Sequence, residues 1–275
     1  MTLETTVLVD GLVFPEGPRW HDGKLWVSDM NACRVLTVDP DGRVETIVTV
    51  PGHPSGLGWL PNGDLLIVSM IDRCLLRLDA RGLSMVADLS GLASYHCNDM
   101  VVDGVGRAYI GNFGFDLSIP ESFSPAEIIL VTPDGKARIV ARDMAFPNGT
   151  VITPDNRTLI VGESRGACLT AFDIESDGSL VNRRVWADLF PATPDGICLD
   201  TEGCIWVASP HTAEVLRFRE GGFITHRVRV TTRPYACMLG GHDGKTLFVC
   251  TSGALPWNSG RIETIRVEYA GAGFP

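Results

Sequence analysis

The chain has 275 residues, 45% of them apolar, with a formal charge of −10 and a pI near 5.0. The length suits one domain over residues 1–275, without linker or low-complexity break, and the apolar share suffices for a sizeable core. The acidic balance argues against nucleic acid or an anionic membrane surface as main partner, and no apolar run approaches the roughly 20 residues of a membrane span.

The N-terminal "MTLETTVLVDG" lacks the basic start and long apolar stretch of a signal peptide. Eight scattered cysteines without a C-x-x-C pair point to reduced thiols and a cytoplasmic location. From "LVFPEGPRW" onward a repeat sets in. A polar-starting stretch is followed by a small-residue turn and an apolar run, successively "HDGKLWVSD", "PNGDLLIVS", "GVGRAYIGN", "PDNRTLIVGE", "TEGCIWVAS" and "HDGKTLFVCT". Gly17, Gly56, Asp99, Gly149, Gly196 and Cys237 take the same place in the six units, at steps of 39, 43, 50, 47 and 41 residues. The first unit has four strand-like runs split by "HDG", "NAC" and "PDG". Six units of four antiparallel strands predict an all-β, six-bladed β-propeller. The sixth unit is short of a fourth strand, and "TTVLVD" from the N-terminus supplies it, closing the ring.

The first strand of each blade lines the channel, so the residue before each anchor reaches one mouth of it. In chain order these are Glu16, Ser55, Asn98, Asn148, Asp195 and Ala236. Taken singly, "PNG" and "PDG" are ordinary turn sequences; convergence makes them a candidate site. Two carboxylates and two amides carry a charge of −2, which one divalent cation would neutralise. All-oxygen ligation suits Ca²⁺ first, with Mg²⁺ or Mn²⁺ as other hard cations.

The second strands end on Asp29, Ser69, Asn112, Glu163, Ser209 and Thr251, expected as an outer polar ring around the pocket. The loop after Asn112, "FGFDLSIPESFSPAE", is the longest connection and reads as a lid. Strand alternation puts His96 on the side of Asn98 and turns Cys97 into the core.

Four segments, "FPEGPRW", "CNDMVVDGVGRAYIGN", "FPNGTVITPDNRTLIV" and "TPDGICLDTEGCIWVA", together resemble the regucalcin (senescence marker protein), gluconolactonase and luciferin-regenerating enzyme family over nearly the whole chain. The resemblance implies a six-bladed propeller with one catalytic divalent cation in the channel, in a family with many lactone hydrolases. It implies Glu16, Asn148 and Asp195 as metal ligands, with Asn98 at the metal directly or through water and also touching substrate. Asp195 would double as general base. Ca²⁺ is the expected ion, with Zn²⁺, Mg²⁺ or Mn²⁺ open. One departure stands out: where aldonolactonases of the family carry an arginine for the polyol, this chain has His96.

The predicted activity is hydrolysis of a lactone, a small-molecule substrate, with His96 as substrate binder or base. Phosphotriester or aryl-ester hydrolysis on the same metal, and a non-catalytic binding propeller, are the alternatives. His96 in place of arginine, with Phe113, Phe115, Phe123 and Trp257 near the mouth, predicts a substrate other than a plain aldonolactone, with an apolar or aromatic ring. Asn112, Phe113 and Trp257 join Asn98 and His96 as substrate-binding candidates. Oligomeric state is left open.

Overall fold

The computed structural model describes residues 2–119, 122–253 and 259–274. The N-terminus contributes β1 (Thr2–Glu4) and β2 (Thr6–Leu12). Four four-stranded antiparallel sheets follow. The first is β3 (Pro15–His21), β4 (Lys24–Asp29), β5 (Arg34–Val38) and β6 (Val44–Thr49). The second is β7 (Pro54–Trp59), β8 (Leu65–Ser69), β9 (Cys74–Asp79) and β10 (Gly82–Asp88). The third is β11 (Cys97–Val102), β12 (Ala108–Asn112), β13 (Ala126–Val131) and β14 (Ala137–Met144). The fourth is β15 (Pro147–Ile152), β16 (Thr158–Glu163), β17 (Cys168–Ile174) and β18 (Leu180–Asp188).

The fifth sheet contains β19 (Ile197–Asp200), β20 (Ile205–Ser209), β21 (Glu214–Arg219) and β22 (Phe223–Arg229). The sixth contains β23 (Arg233–Gly240), β24 (Thr246–Ser252) and β25 (Gly260–Arg266), with β26 (Gly271–Ala272) beyond it. As expected, the N-terminal strand completes the sixth blade: β2 lies antiparallel to β25, with Thr6 opposite Thr264. The fifth blade departs from four strands. Its outer edge takes β1, parallel to β22, and its inner edge takes β26 beside β19. Both chain ends are thereby tied into the ring.

The first strands touch in a closed cycle, β3–β7–β11–β15–β19–β23 and back to β3. This is a six-bladed β-propeller. The apolar face of each sheet is buried against its neighbour, so the core is a set of interfaces between blades. Val151 and Ile160 pack with Ile197, Ile205 and Val207 between the fourth and fifth, and Leu25 and Val27 with Phe248 and Ile262 between the first and sixth.

Two anchor glycines show why small residues recur on the first strands. Gly17 has φ +53, and a Cβ there would stand 2.6 Å from the Ser55 carbonyl oxygen of the next blade. A Cβ on Gly149 would lie 2.4 Å from the Ile197 nitrogen. Only glycine admits both the backbone angle at the first and the close approach at each. A β-bulge follows these positions in five blades, between Glu16 and Arg19, Pro54 and Leu57, Cys97 and Met100, Pro147 and Thr150, and Pro234 and Ala236. Such bulges re-aim side chains, here at the mouth of the channel.

The strand register corrects the sixth unit. Pro15 pairs Asp29 and Pro147 pairs Glu163, and the matching pair is Pro234 with Thr251. Ala236 therefore takes the anchor place expected of Cys237, and Tyr235, rather than Ala236, is the counterpart of Glu16. Ala236 indeed closes on Gly196 as the other anchors close on one another.

Candidate functional site

At the mouth, Glu16, Asn98, Asn148 and Asp195 converge on one cavity of about 270 Å³. They come from blades one, three, four and five, and Tyr235 of blade six completes the wall. Much of the remaining lining is apolar: Phe14, Met30, Met70, Phe113, Leu117 and Phe146.

Glu16 and Asp195 are both half-buried carboxyls in the cavity wall. Burial pushes Glu16 up to about 8; the nearby Asp99 charge adds to this, while the Gly17 N–H, donating to Oε2 at 3.0 Å, works against it. Asp195 is raised well above the ordinary carboxylate range, first by burial and then by the Glu16 charge, with the Asn148 amide pulling the other way. Each carboxylate thus raises the cost of ionising its neighbour.

Below them the charges are settled. Arg19 of β3 reaches past the second blade to Asp99 of β11, Nη2 to Oδ1 at 2.7 Å, and also donates to the Pro18 and Met100 carbonyls. This buried pair neutralises itself, and among the described residues Glu16 and Asp195 have no ion-pair partner of their own.

The two carboxamides complete an oxygen-rich set. Asn98 Nδ2 donates to the Pro147 carbonyl at 3.3 Å, and Asn148 Nδ2 to Ser164 Oγ at 3.2 Å. With their NH₂ groups spent on the protein, their carbonyl oxygens are the atoms offered to the cavity. Among the described residues no group of three or more His, Cys, Asp or Glu side chains assembles a metal site. The set here is of another kind, two carboxylates and two amides, and its hard oxygens and charge of −2 fit a divalent cation such as Ca²⁺.

The other candidates are placed as follows. Phe113 lines the cavity. His96 stands beside it, ring centroids 6.2 Å apart, with its other face on Tyr95 at 4.2 Å, and is not part of the cavity lining. Its imidazole is held below its ordinary value by burial and by Arg73. It immediately precedes β11, whose bulge breaks the alternation expected to turn it toward the side of Asn98. Asn112 is fully buried, and its amide donates to Glu127 while its oxygen accepts from the Gly114 N–H at 2.9 Å, so it fixes the start of the long loop. Trp257 lies outside the described residues. Cys97 is in the core, its thiol pushed up to about 12 by burial. Phe115 is buried against Phe146, whereas Phe123 is exposed.

The second-strand ends do not ring the cavity. Asp29 Oδ1 accepts from the Val13 and Phe14 N–H groups, Glu163 Oε2 from Ala145 N–H, and Ser209 Oγ from Thr193 N–H. They pin the segments entering the first strand of their own blade, next to Glu16, Asn148 and Asp195. In the sixth blade the same task falls to Glu263, fully buried, which accepts from the Thr231 N–H and from the Thr5 and Thr251 hydroxyls. Sequence reasoning missed Glu263, since a glutamate inside "RIETIR" reads as a solvated strand position. It also missed Phe14, Phe146 and Tyr235. The shared "FP" of "FPEG" and "FPNG", two residues before each ligand candidate, was the available signal for the two phenylalanines.

No helix of the described chain is long and apolar enough to cross a membrane. Residues 14–253 match the family described as SMP-30/Gluconolactonase/LRE-like region. A 6-deoxy-6-sulfogluconolactonase of Pseudomonas putida is 26% identical over 250 residues, 87% of this chain and 84% of that protein. A pentonolactonase of Haloferax volcanii is 24% identical over 248 residues, 86% and 81% of the two chains. The crystal structure of a calcium-binding protein, regucalcin, from Agrobacterium tumefaciens superposes with a TM-score of 0.85 at 22% identity, covering 100% of this chain and 98% of that one.

Proposed function

Since the chain belongs to the SMP-30/gluconolactonase/LRE-like family, we propose that it is a metal-dependent hydrolase of lactones. The observation that carries the proposal is the meeting of Glu16, Asn98, Asn148 and Asp195 in one cavity, with two half-buried carboxyls that no ion pair neutralises among the described residues. All six blades contribute to this cavity, the second through Met70, so the whole ring is the functional unit.

Glu16, Asn148 and Asp195 would hold the cation, with Asn98 at its side. Bound there, it would act as a Lewis acid on the lactone carbonyl, help worth several kcal/mol in such reactions. Asp195 takes the proton of the attacking water. Its carboxylate lines the cavity, in place to receive that proton. Asn98 orients the ring. Phe14, Phe113 and Phe146 keep bulk water from the reacting carbonyl and favour a ring with few hydroxyls, so a plain aldonolactone is the poorer substrate. Relatives named for different lactones, a sulfogluconolactone and a pentonolactone, leave the substrate to be set by this wall.

Metal analysis of the purified protein, then turnover of a lactone panel before and after exhaustive chelation, tests the proposal. Activity is expected to vanish on chelation and return with Ca²⁺ or another divalent ion. Full activity in metal-free protein would overturn it.

A further inference from the structure

A second cavity of about 490 Å³ adjoins the first, and the two share Phe146, Asp195 and Tyr235. Glu16, Asn98 and Asn148 line only the first; Arg165, Arg233 and His211 line only the second. In a chain with a formal charge of −10, two arginines facing one cavity run against the overall balance.

These arginines are also uncommitted. Arg34, Arg183, Arg184 and Arg217 are each paired with a carboxylate. Among the described residues no such pair holds Arg165 or Arg233. The Arg165 guanidinium lies over the Phe115 ring at 5.5 Å, and Arg233 hydrogen-bonds the Tyr235 side chain. Aromatic neighbours therefore position both heads without neutralising them. An incoming anion meets two guanidinium forks and displaces no carboxylate, and planar forks of this kind suit the oxygens of a carboxylate, sulfonate or phosphate.

We propose, resting on the lactone-hydrolase reading, that the substrate carries an anionic group remote from its reacting carbonyl, and that Arg165 and Arg233 hold that group while the lactone ring occupies the carboxylate-lined cavity. Asp195 stands between the two, so the reacting carbonyl and the anion fall on opposite sides of the shared wall. The larger second cavity has room for a tetrahedral oxyanion and the carbon that bears it.

Two matched sets of substrates test this: dihydrocoumarin against its ring-carboxylated and ring-sulfonated forms, and gluconolactone against its 6-phosphate. The first set varies charge on an apolar ring and the second on a polyol, so an anion preference is separated from a hydroxyl preference, and carboxylate is compared with sulfonate on one ring. The wild type should favour the charged member by roughly tenfold or more in kcat/KM, chiefly through KM, the scale of one charge-assisted contact. Arg165→Gln and Arg233→Gln should each reduce that ratio severalfold, and the double variant should abolish it, while Arg184→Gln, at a distant ion pair, keeps it. A charged-to-neutral ratio near one in the wild type, or one unmoved in the double variant, overturns the proposal. Failure of every lactone to turn over would instead sink the hydrolase reading. Titration calorimetry with 6-phosphogluconate, which needs no turnover, then decides the anion site: binding lost in the double variant supports it, and absent or unchanged binding refutes it.

Discussion

Asp195 and Asp200 lie five residues apart on one blade, the first half-buried and the second fully buried, and their surroundings are opposite. Asp200 is saturated with donors. Arg217 Nε reaches its Oδ2 at 2.7 Å, Trp206 Nε1 the same oxygen at 3.0 Å, and the Glu202 and Cys204 N–H groups its Oδ1 at 3.0 and 3.1 Å. Asp195 has the Asn148 amide and the Gly196 N–H against it, and faces a second half-buried carboxyl instead of a cation. A buried charge persists only when paired. Complete pairing within the chain marks Asp200 as part of the scaffold, whereas Asp195 has no ion pair among the described residues and is the residue to which a bound cation is assigned in the proposal.

The largest expected effect separates the two aspartates by activity. Asp195→Asn should lower kcat by about 10³-fold, within the range for loss of a positioned base and with the metal site weakened as well, yet leave the melting temperature of metal-free protein unchanged or raised, because a like-charge contact with Glu16 is removed. Near-normal turnover would end the role given to Asp195. Asp200→Ala should do the converse. It strands Arg217 in the core and should cost about 3–5 kcal/mol of stability in denaturant titration, as breaking a buried pair does. A loss below 1 kcal/mol would show that the donors around Asp200 do not depend on it.

The third expectation concerns pH. Glu16 has a folded value of about 8 against an ordinary 4.5. Below pH 4.5 it is protonated in both states. Between about 4.5 and 8 the unfolded chain releases the proton and the folded chain keeps it, so stability of metal-free protein falls as pH rises through this window. Asp195, raised in the same direction, adds to the fall. Excess Ca²⁺ should flatten it. Melting temperatures from pH 4.5 to 8.5, with and without Ca²⁺, measure this; a metal-free curve that rises with pH would contradict it.

The smallest effect is expected at His96. Standing behind Phe113, it should tolerate Gln with less than about threefold change in kcat/KM, the scale of a surface contact. A tenfold loss, or loss of a basic limb in the pH profile, would bring His96 into the reaction. His96→Arg should leave the preference between gluconolactone and dihydrocoumarin nearly unmoved for the same reason.

Six turn-plus-strand units, the steps between the first five and the N-terminal strand for the last blade were legible in the residues, because apolar alternation and Gly/Asp/Asn turns are local signals. So were Glu16, Asn98, Asn148 and Asp195, which share a place relative to the anchors. The sixth unit misled because it lacks an anchor glycine: "RPYACMLG" permits two registers, and only pairing with β24 selects Tyr235 over Ala236. His96 and the second-strand ends went otherwise than expected because alternation fails at a bulge, and because a polar strand end can be spent on a neighbouring loop as readily as on a site. The strand repeat and the four oxygen-bearing side chains that meet in the cavity were thus determined by the sequence itself, through short-range patterns that repeat in register. Which carboxyl is paired, which aromatics wall the cavity and which arginines stand uncommitted beside it were decided only in the tertiary structure, since these depend on contacts between blades that lie 40 or more residues apart in the chain, as Arg19 and Asp99 do.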